Sequence, residues 1–130
     1  MATRGIRNNN PGNIIYSERN DWHGQAGHDG RFCIFVSPQY GIRAMVKILQ
    51  KYQRRGVNTL CDIISTWAPS NENDTQSYIN SICDKTGFME NFIMQPGDYT
   101  KLIEAIIYHE NGSQPYPLSV IAEGIQRAAS

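Results

Sequence analysis

The chain has 130 residues, 40% of them hydrophobic and 18% charged, a balance that fits one domain with its own buried core and excludes a disordered polyelectrolyte. Twelve Lys and Arg offset twelve Asp and Glu, so no broad basic field is available for nucleic acid. The longest apolar runs, such as Ala105-Ile106-Ile107-Tyr108, fall far short of the roughly 20 residues a membrane helix needs.

Residues 1–37 are rich in Asn, Gly and Asp and read as an irregular, partly β lobe. Residues 38–130 read as a helical lobe, with no linker between the two. Arg31-Phe32-Cys33-Ile34-Phe35-Val36 has strand character, bounded by Asp29-Gly30 and Ser37-Pro38. Ile14-Ile15-Tyr16 is the expected partner in a small hairpin, with Gly24, Gly27 and Gly30 in the connection. Gly12 is expected in a backbone conformation closed to other residues. Ser37-Pro38 opens a first long helix. It puts Ile42, Met45, Ile48, Leu49 and Tyr52 inward and Arg43, Lys47, Gln50, Lys51 and Arg54 outward. Thr59 caps a second helix carrying Leu60, Ile63, Ile64 and Trp67, stopped by Pro69. Asn73 or Asp74 caps a third, with Tyr78, Ile79, Ile82 and Cys83 inward. Asp98 caps a fourth, which packs Leu102, Ile103, Ala105 and Ile106 and ends at Asn111-Gly112. A last helix presents Leu118, Ile121, Ile125 and Ala128 on one face. The expected fold is α+β and mainly helical: a small N-terminal β-hairpin lobe plus about five helices.

Glu110 is the first candidate for chemistry. It lies in the last turn of an apolar helix, where the negative end of the helix dipole disfavours a carboxylate, as suits a general acid. Glu72 is the second, in the polar loop Ser70-Asn71-Glu72-Asn73-Asp74, where it also fits as first-turn charge for the next helix. Trp22 offers a flat apolar ring on which a sugar can stack. His23, His28 and Asp29 are close in sequence but match no metal-ligand spacing, so no metal is expected. In Arg7-Asn8-Asn9-Asn10-Pro11-Gly12-Asn13 the amides either satisfy buried turns or face a polar ligand. The stripe Arg43, Lys47, Lys51, Arg54 and Arg55 reads as a solvated helix face. Cys33, Cys61 and Cys83 sit in apolar contexts and read as reduced core thiols. Pairing Cys33 with His23 or His28 as a nucleophile lacks a third residue to orient the His.

Four stretches carry a resemblance. They are Arg4-Gly-Ile-Arg-Asn-Asn-Asn-Pro-Gly-Asn-Ile14, then Phe32-x-x-Phe35-x-x-Pro38-x-x-Gly41, then Trp67-Ala68-Pro69-x-x-Glu72-Asn73-Asp74-Thr75 with Glu110-Asn111-Gly112 near the end. Together they resemble a family of small phage and prophage proteins, variously described as virion-associated and as peptidoglycan-degrading. The segment Ala105–Gly112 also resembles the catalytic helix of lysozyme-like lytic transglycosylases, which ends in Glu. Trp67–Ile79 resembles their later cleft-lining segment, in reversed order, as in a permuted lysozyme-like fold. The resemblance implies Glu110 as catalytic acid, with Asn73 and Tyr78 near the sugar.

The resulting expectation is a phage glycosidase that cuts the peptidoglycan glycan between N-acetylmuramic acid and N-acetylglucosamine, with Glu110 and Glu72 as catalytic candidates. Trp22, Asn73, Tyr78, Asn10 and Asn13 are the candidate substrate-binding residues. Water activated with help from Glu72 would make it a muramidase; attack by the muramic 6-hydroxyl would make it a lytic transglycosylase, which needs one carboxylate only. No cofactor is implied. The expected partners are the glycan strand and other virion proteins, without nucleic acid or membrane insertion. The start Met1-Ala2-Thr3-Arg4 has no apolar signal segment. The expectation is therefore synthesis in the host cytoplasm, followed by holin-type release or delivery in the virion. The alternative is a non-catalytic structural or glycan-binding virion protein.

Overall fold

The computed structural model describes residues 2–129. The elements run α1 (Arg4–Arg7), β1 (Gln25–His28), β2 (Cys33–Phe35), α2 (Pro38–Arg54), α3 (Leu60–Trp67), α4 (Thr75–Thr86), a 3-10 turn (Pro96–Asp98), α5 (Tyr99–Asn111) and α6 (Leu118–Arg127). The class is α+β and mainly helical, as expected, with one two-stranded antiparallel sheet among the described residues. No helix of the described residues is long and apolar enough to cross a membrane.

The helix ends follow local sequence. Ser37-Pro38 opens α2, with Pro at its first position. Thr59 caps α3 by accepting from the Asp62 N–H at 3.2 Å. Asp74, rather than Asn73, caps α4, accepting from the Ser77 N–H at 3.1 Å. Asp98 stands at the N-cap of α5 as expected but makes no side-chain cap bond there; its carboxylate accepts from the Gln95 N–H and closes the 3-10 turn ahead of the helix. Gly112, at φ 73°, ends α5 in the left-handed region that glycine tolerates.

The centre of the molecule is α5. Leu102, Ile103, Ile106 and Ile107 are all fully buried, so this helix is apolar on more than one face. It packs against α1, α2, α4 and α6. Leu118, expected inward, is 62% exposed: it is the first residue of α6, beyond the end of the α2 surface that Ile121, Gly124 and Ala128 cover. Cys33 is fully buried, whereas Cys61 and Cys83 are half-buried, and all three are free.

The N-terminal lobe departs most from the sequence reading. Residues 4–7, read as irregular, form a helical turn. The main partner of β2 is β1, with His28 opposite Cys33 and a register irregularity at Gln25/Gly27. The expected partner, Ile14–Tyr16, contributes only an isolated bridge, Ile15 to Phe32. Asp29 makes the β1–β2 turn by accepting from the N–H groups of Arg31 and Phe32 at 3.1 and 2.8 Å. Gly12 is not the left-handed residue of the Asn-rich loop: Asn9 and Asn13 are, at φ 53° and 52°. Asn is the side chain that best tolerates that region after glycine. Gly12 is small because Met45 lies against it, 2.8 Å from where a Cβ would stand.

Candidate functional site

The motif Glu110-Asn111-Gly112 joins α5 to the N-terminal lobe. Asn111 is buried; its Nδ2 donates to the carbonyls of Pro11 and Ile107 at 2.8 and 2.9 Å, and its Oδ1 accepts from the Thr3 hydroxyl at 2.6 Å. A Cβ on Gly5 would stand 2.7 Å from both Asn111 Oδ1 and Asn13 Oδ1, so α1 closes on the end of α5 only with glycine there. One residue earlier on the helix, Glu110 turns the other way, half-buried at the edge of a cleft.

Both oxygens of Glu110 are held. Asn13 Nδ2 donates to Oε1 at 3.0 Å, and the Tyr78 hydroxyl donates to Oε2 at 2.7 Å. One anchor comes from the Asn-rich loop and the other from α4, so the carboxylate is oriented by two separate parts of the fold. Burial, together with the charge of Glu110, holds the Tyr78 phenol well above its ordinary value of 10.0. Tyr78 is therefore a proton donor in this bond at any physiological pH. Its hydroxyl is also hydrogen-bonded with the Trp67 side chain, and its ring packs on His109 with centroids 3.8 Å apart.

The cleft has a volume of about 730 Å³, inside the usual range for small-ligand sites of about 300–1,000 Å³. The N-terminal lobe supplies Asn13, Trp22 and His23; the α3–α4 connection supplies Trp67, Glu72 and Asn73; α2 supplies Ile48, Tyr52 and basic side chains. Glu110 lies between them. Glu72 is exposed, in a loop closed by its own N–H and the Asn73 amide, both donating to the Pro69 carbonyl at 3.1 and 3.3 Å. It lies outside the first turn of α4 and does not serve as the helix charge that its position suggested.

Of the seven candidate residues, Glu110, Glu72, Trp22, Asn73 and Asn13 line this one cleft. Tyr78 is buried behind Glu110 and does not line it. Asn10 is a correction. It is fully buried, with Nδ2 donating to the carbonyls of Ile14 and Cys33 at 3.0 Å each and Oδ1 accepting from the Ile14 N–H at 2.9 Å. Its amide replaces missing backbone partners inside the loop and has no surface left for a ligand. The Asp29 carboxylate is engaged by Arg4 at 2.6 Å and Asn8 at 2.9 Å, and His28 stacks on Tyr16. Cys33 is fully buried and does not line the cleft; burial pushes its thiol up, the wrong direction for a nucleophile.

Trp67, carried by α3, packs partly buried against the core and also lines the cleft, although it was not among the candidate site residues. Its place at the last turn of a helix, directly before Ala68-Pro69, is the signal that could have marked it. The basic stripe is solvated at Lys51, Arg54 and Arg55, as expected, but not at Arg43. Arg43, Lys47, Lys51, Arg54 and Arg55 all line the cleft. Arg43 is only 7% exposed, its Nε donating to the Arg127 carbonyl at 3.3 Å, because the end of α6 docks on this part of α2.

No family model matches the chain. Protein P5 of Pseudoalteromonas phage PM2 is 41% identical to it over 132 residues, which cover 96% of this chain and 81% of that protein. At this identity and coverage, the chain belongs to the family of phage Protein P5.

Proposed function

We propose that this protein is a peptidoglycan glycosidase of lysozyme-like type, cutting the glycan between N-acetylmuramic acid and N-acetylglucosamine, with Glu110 as the acid. The observation that carries the reading is a single glutamate held by two donors beside a cleft lined by two indoles and two further carboxylates, Glu72 and Asp21. Flat indole faces suit the apolar faces of sugar rings, and the amides of Asn13 and Asn73 suit acetamido and hydroxyl groups. In the protonated form Glu110 gives its proton to the glycosidic oxygen. The C–O bonding pair leaves with that oxygen as an alcohol, and the ring takes on oxocarbenium character. A nucleophilic oxygen then adds to the anomeric carbon and returns its proton to Glu110. Water as that nucleophile gives a reducing end, with Glu72 available to orient it; the muramic 6-hydroxyl gives an anhydro end and needs no second carboxylate. Neither route needs a metal or cofactor. Action at the wall would follow holin-type release or delivery in the virion, in keeping with the phage origin of the relative.

A second reading has its own support. The two bonds that orient Glu110 also tie the N-terminal lobe to α4, which suits a non-catalytic glycan-binding or structural virion protein. Digestion of purified peptidoglycan, with the masses of released fragments, separates the two. Release of muropeptides supports the enzyme, and their anhydro or reducing ends assign the route. Retention of the protein on the wall without any released fragment would overturn the enzyme reading in favour of the binding one.

A further inference from the structure

The basic wall of the cleft has no part in the chemistry at Glu110. Arg43, Lys47, Lys51 and Arg54 of α2 and its C-cap Arg55 lie at intervals of four, four, three and one, a stripe about 18 Å long at 1.5 Å per residue. The chain is neutral overall, so five of its twelve basic residues on one wall make a local field. The negative C-terminus of α2 accounts for cations in its last turn, and Arg43 is held by the Arg127 carbonyl, but neither accounts for all five lining one cleft. Lys51, Arg54 and Arg55 are exposed. A neutral sugar chain does not call for such a wall. A polyanion such as nucleic acid is also a poor fit, because Asp21, Glu72 and Glu110 share the cleft and repel phosphates.

The ligand that fits both halves is a neutral glycan carrying short substituents with isolated negative charges. Resting on the glycosidase reading above, we propose that the α2 wall is a subsite for the free carboxylates of the stem peptides that peptidoglycan bears on its lactyl groups. The glycan runs past Trp22, Trp67 and Glu110, and the peptide lies across Lys51, Arg54 and Arg55. The subsite selects peptide-bearing wall over other neutral glycans.

The test compares intact peptidoglycan with the same material whose carboxyls have been converted to amides, which keeps the peptides and removes their charge. Wild-type protein should show a KM about tenfold higher on the amidated wall, as expected for a few partly exposed charge pairs, with the difference shrinking as salt rises. In the triple variant Lys51→Gln, Arg54→Gln, Arg55→Gln, the ratio of the two KM values should fall to about one. Equal KM values for the wild type on both walls would overturn the subsite while leaving the glycosidase reading intact, as would a variant with the wild-type ratio. Wild-type protein that digests neither wall would remove the glycosidase reading and the subsite with it.

Discussion

Replacing Asn10 by Ala is expected to destabilise the protein by about 1–3 kcal/mol. It orphans the buried Ile14 N–H and takes one donor from each of the Ile14 and Cys33 carbonyls, of which the Ile14 carbonyl keeps the Cys33 N–H. Urea unfolding measures the change, and an unaltered midpoint would contradict the structural role given to this side chain. Tyr78→Phe is a test of positioning. The ring keeps its packing on His109, but Glu110 loses its α4 anchor. On peptidoglycan, kcat should fall about tenfold because orientation of the acid is degraded, with a smaller rise in KM from the lost bond to Trp67. A change confined to KM would instead make Tyr78 a substrate contact. The Asn13 amide explains why Glu110→Gln can be accommodated: Asn13 Oδ1 is buried with no hydrogen-bond partner among the described residues. A turned amide would let that oxygen accept from the new Gln.

At the scale of elements, the β1–β2 turn depends on Asp29. The Arg4 guanidinium, the Phe32 N–H and the Asn8 amide hold its carboxyl far below its ordinary value of 3.8. A group whose folded-state value lies below its unfolded one contributes stability that is complete above the unfolded value. That contribution is lost as pH falls toward the folded value. Stability should therefore decline below about pH 4, and Asp29→Asn should flatten that decline; parallel acid profiles for variant and wild type would contradict it. The helices of residues 38–130 were legible because their signals are local: Ser37-Pro38, Thr59, Asp74 and Gly112 act within a turn of their own positions. The strand β1 was not legible. Gln25-Ala26-Gly27-His28 has no β-branched residue and no Phe, Tyr or Trp, and its pairing is set by the turn chemistry of Asp29 and by contacts with Arg4 and Asn8 more than 20 positions away. The same holds for Arg43. Helical spacing placed it correctly beside Lys47, but only the docking of α6, 84 positions on, decides that this face is partly covered and partly cleft.

At the scale of the molecule, the N-terminal lobe, α2 and the α3–α4 connection meet around the end of α5, so the residues of one cleft come from four separate stretches of sequence. Glu110 is a candidate from sequence because its helix position is locally anomalous, and Glu72 because its loop is. Their sharing one cleft required the fold. The central claim is that Glu110 delivers a proton, and the most direct measurement is parallel digestion of purified peptidoglycan by wild type and Glu110→Gln. Fragments are quantified by mass, and the melting temperature of each protein is recorded. Gln keeps the shape and hydrogen bonding but carries no transferable proton, and general acid catalysis contributes about 10²–10⁴-fold. The account predicts that the variant melts close to the wild type and releases fragments at least about a hundredfold more slowly; release at the wild-type rate by Glu110→Gln would contradict it.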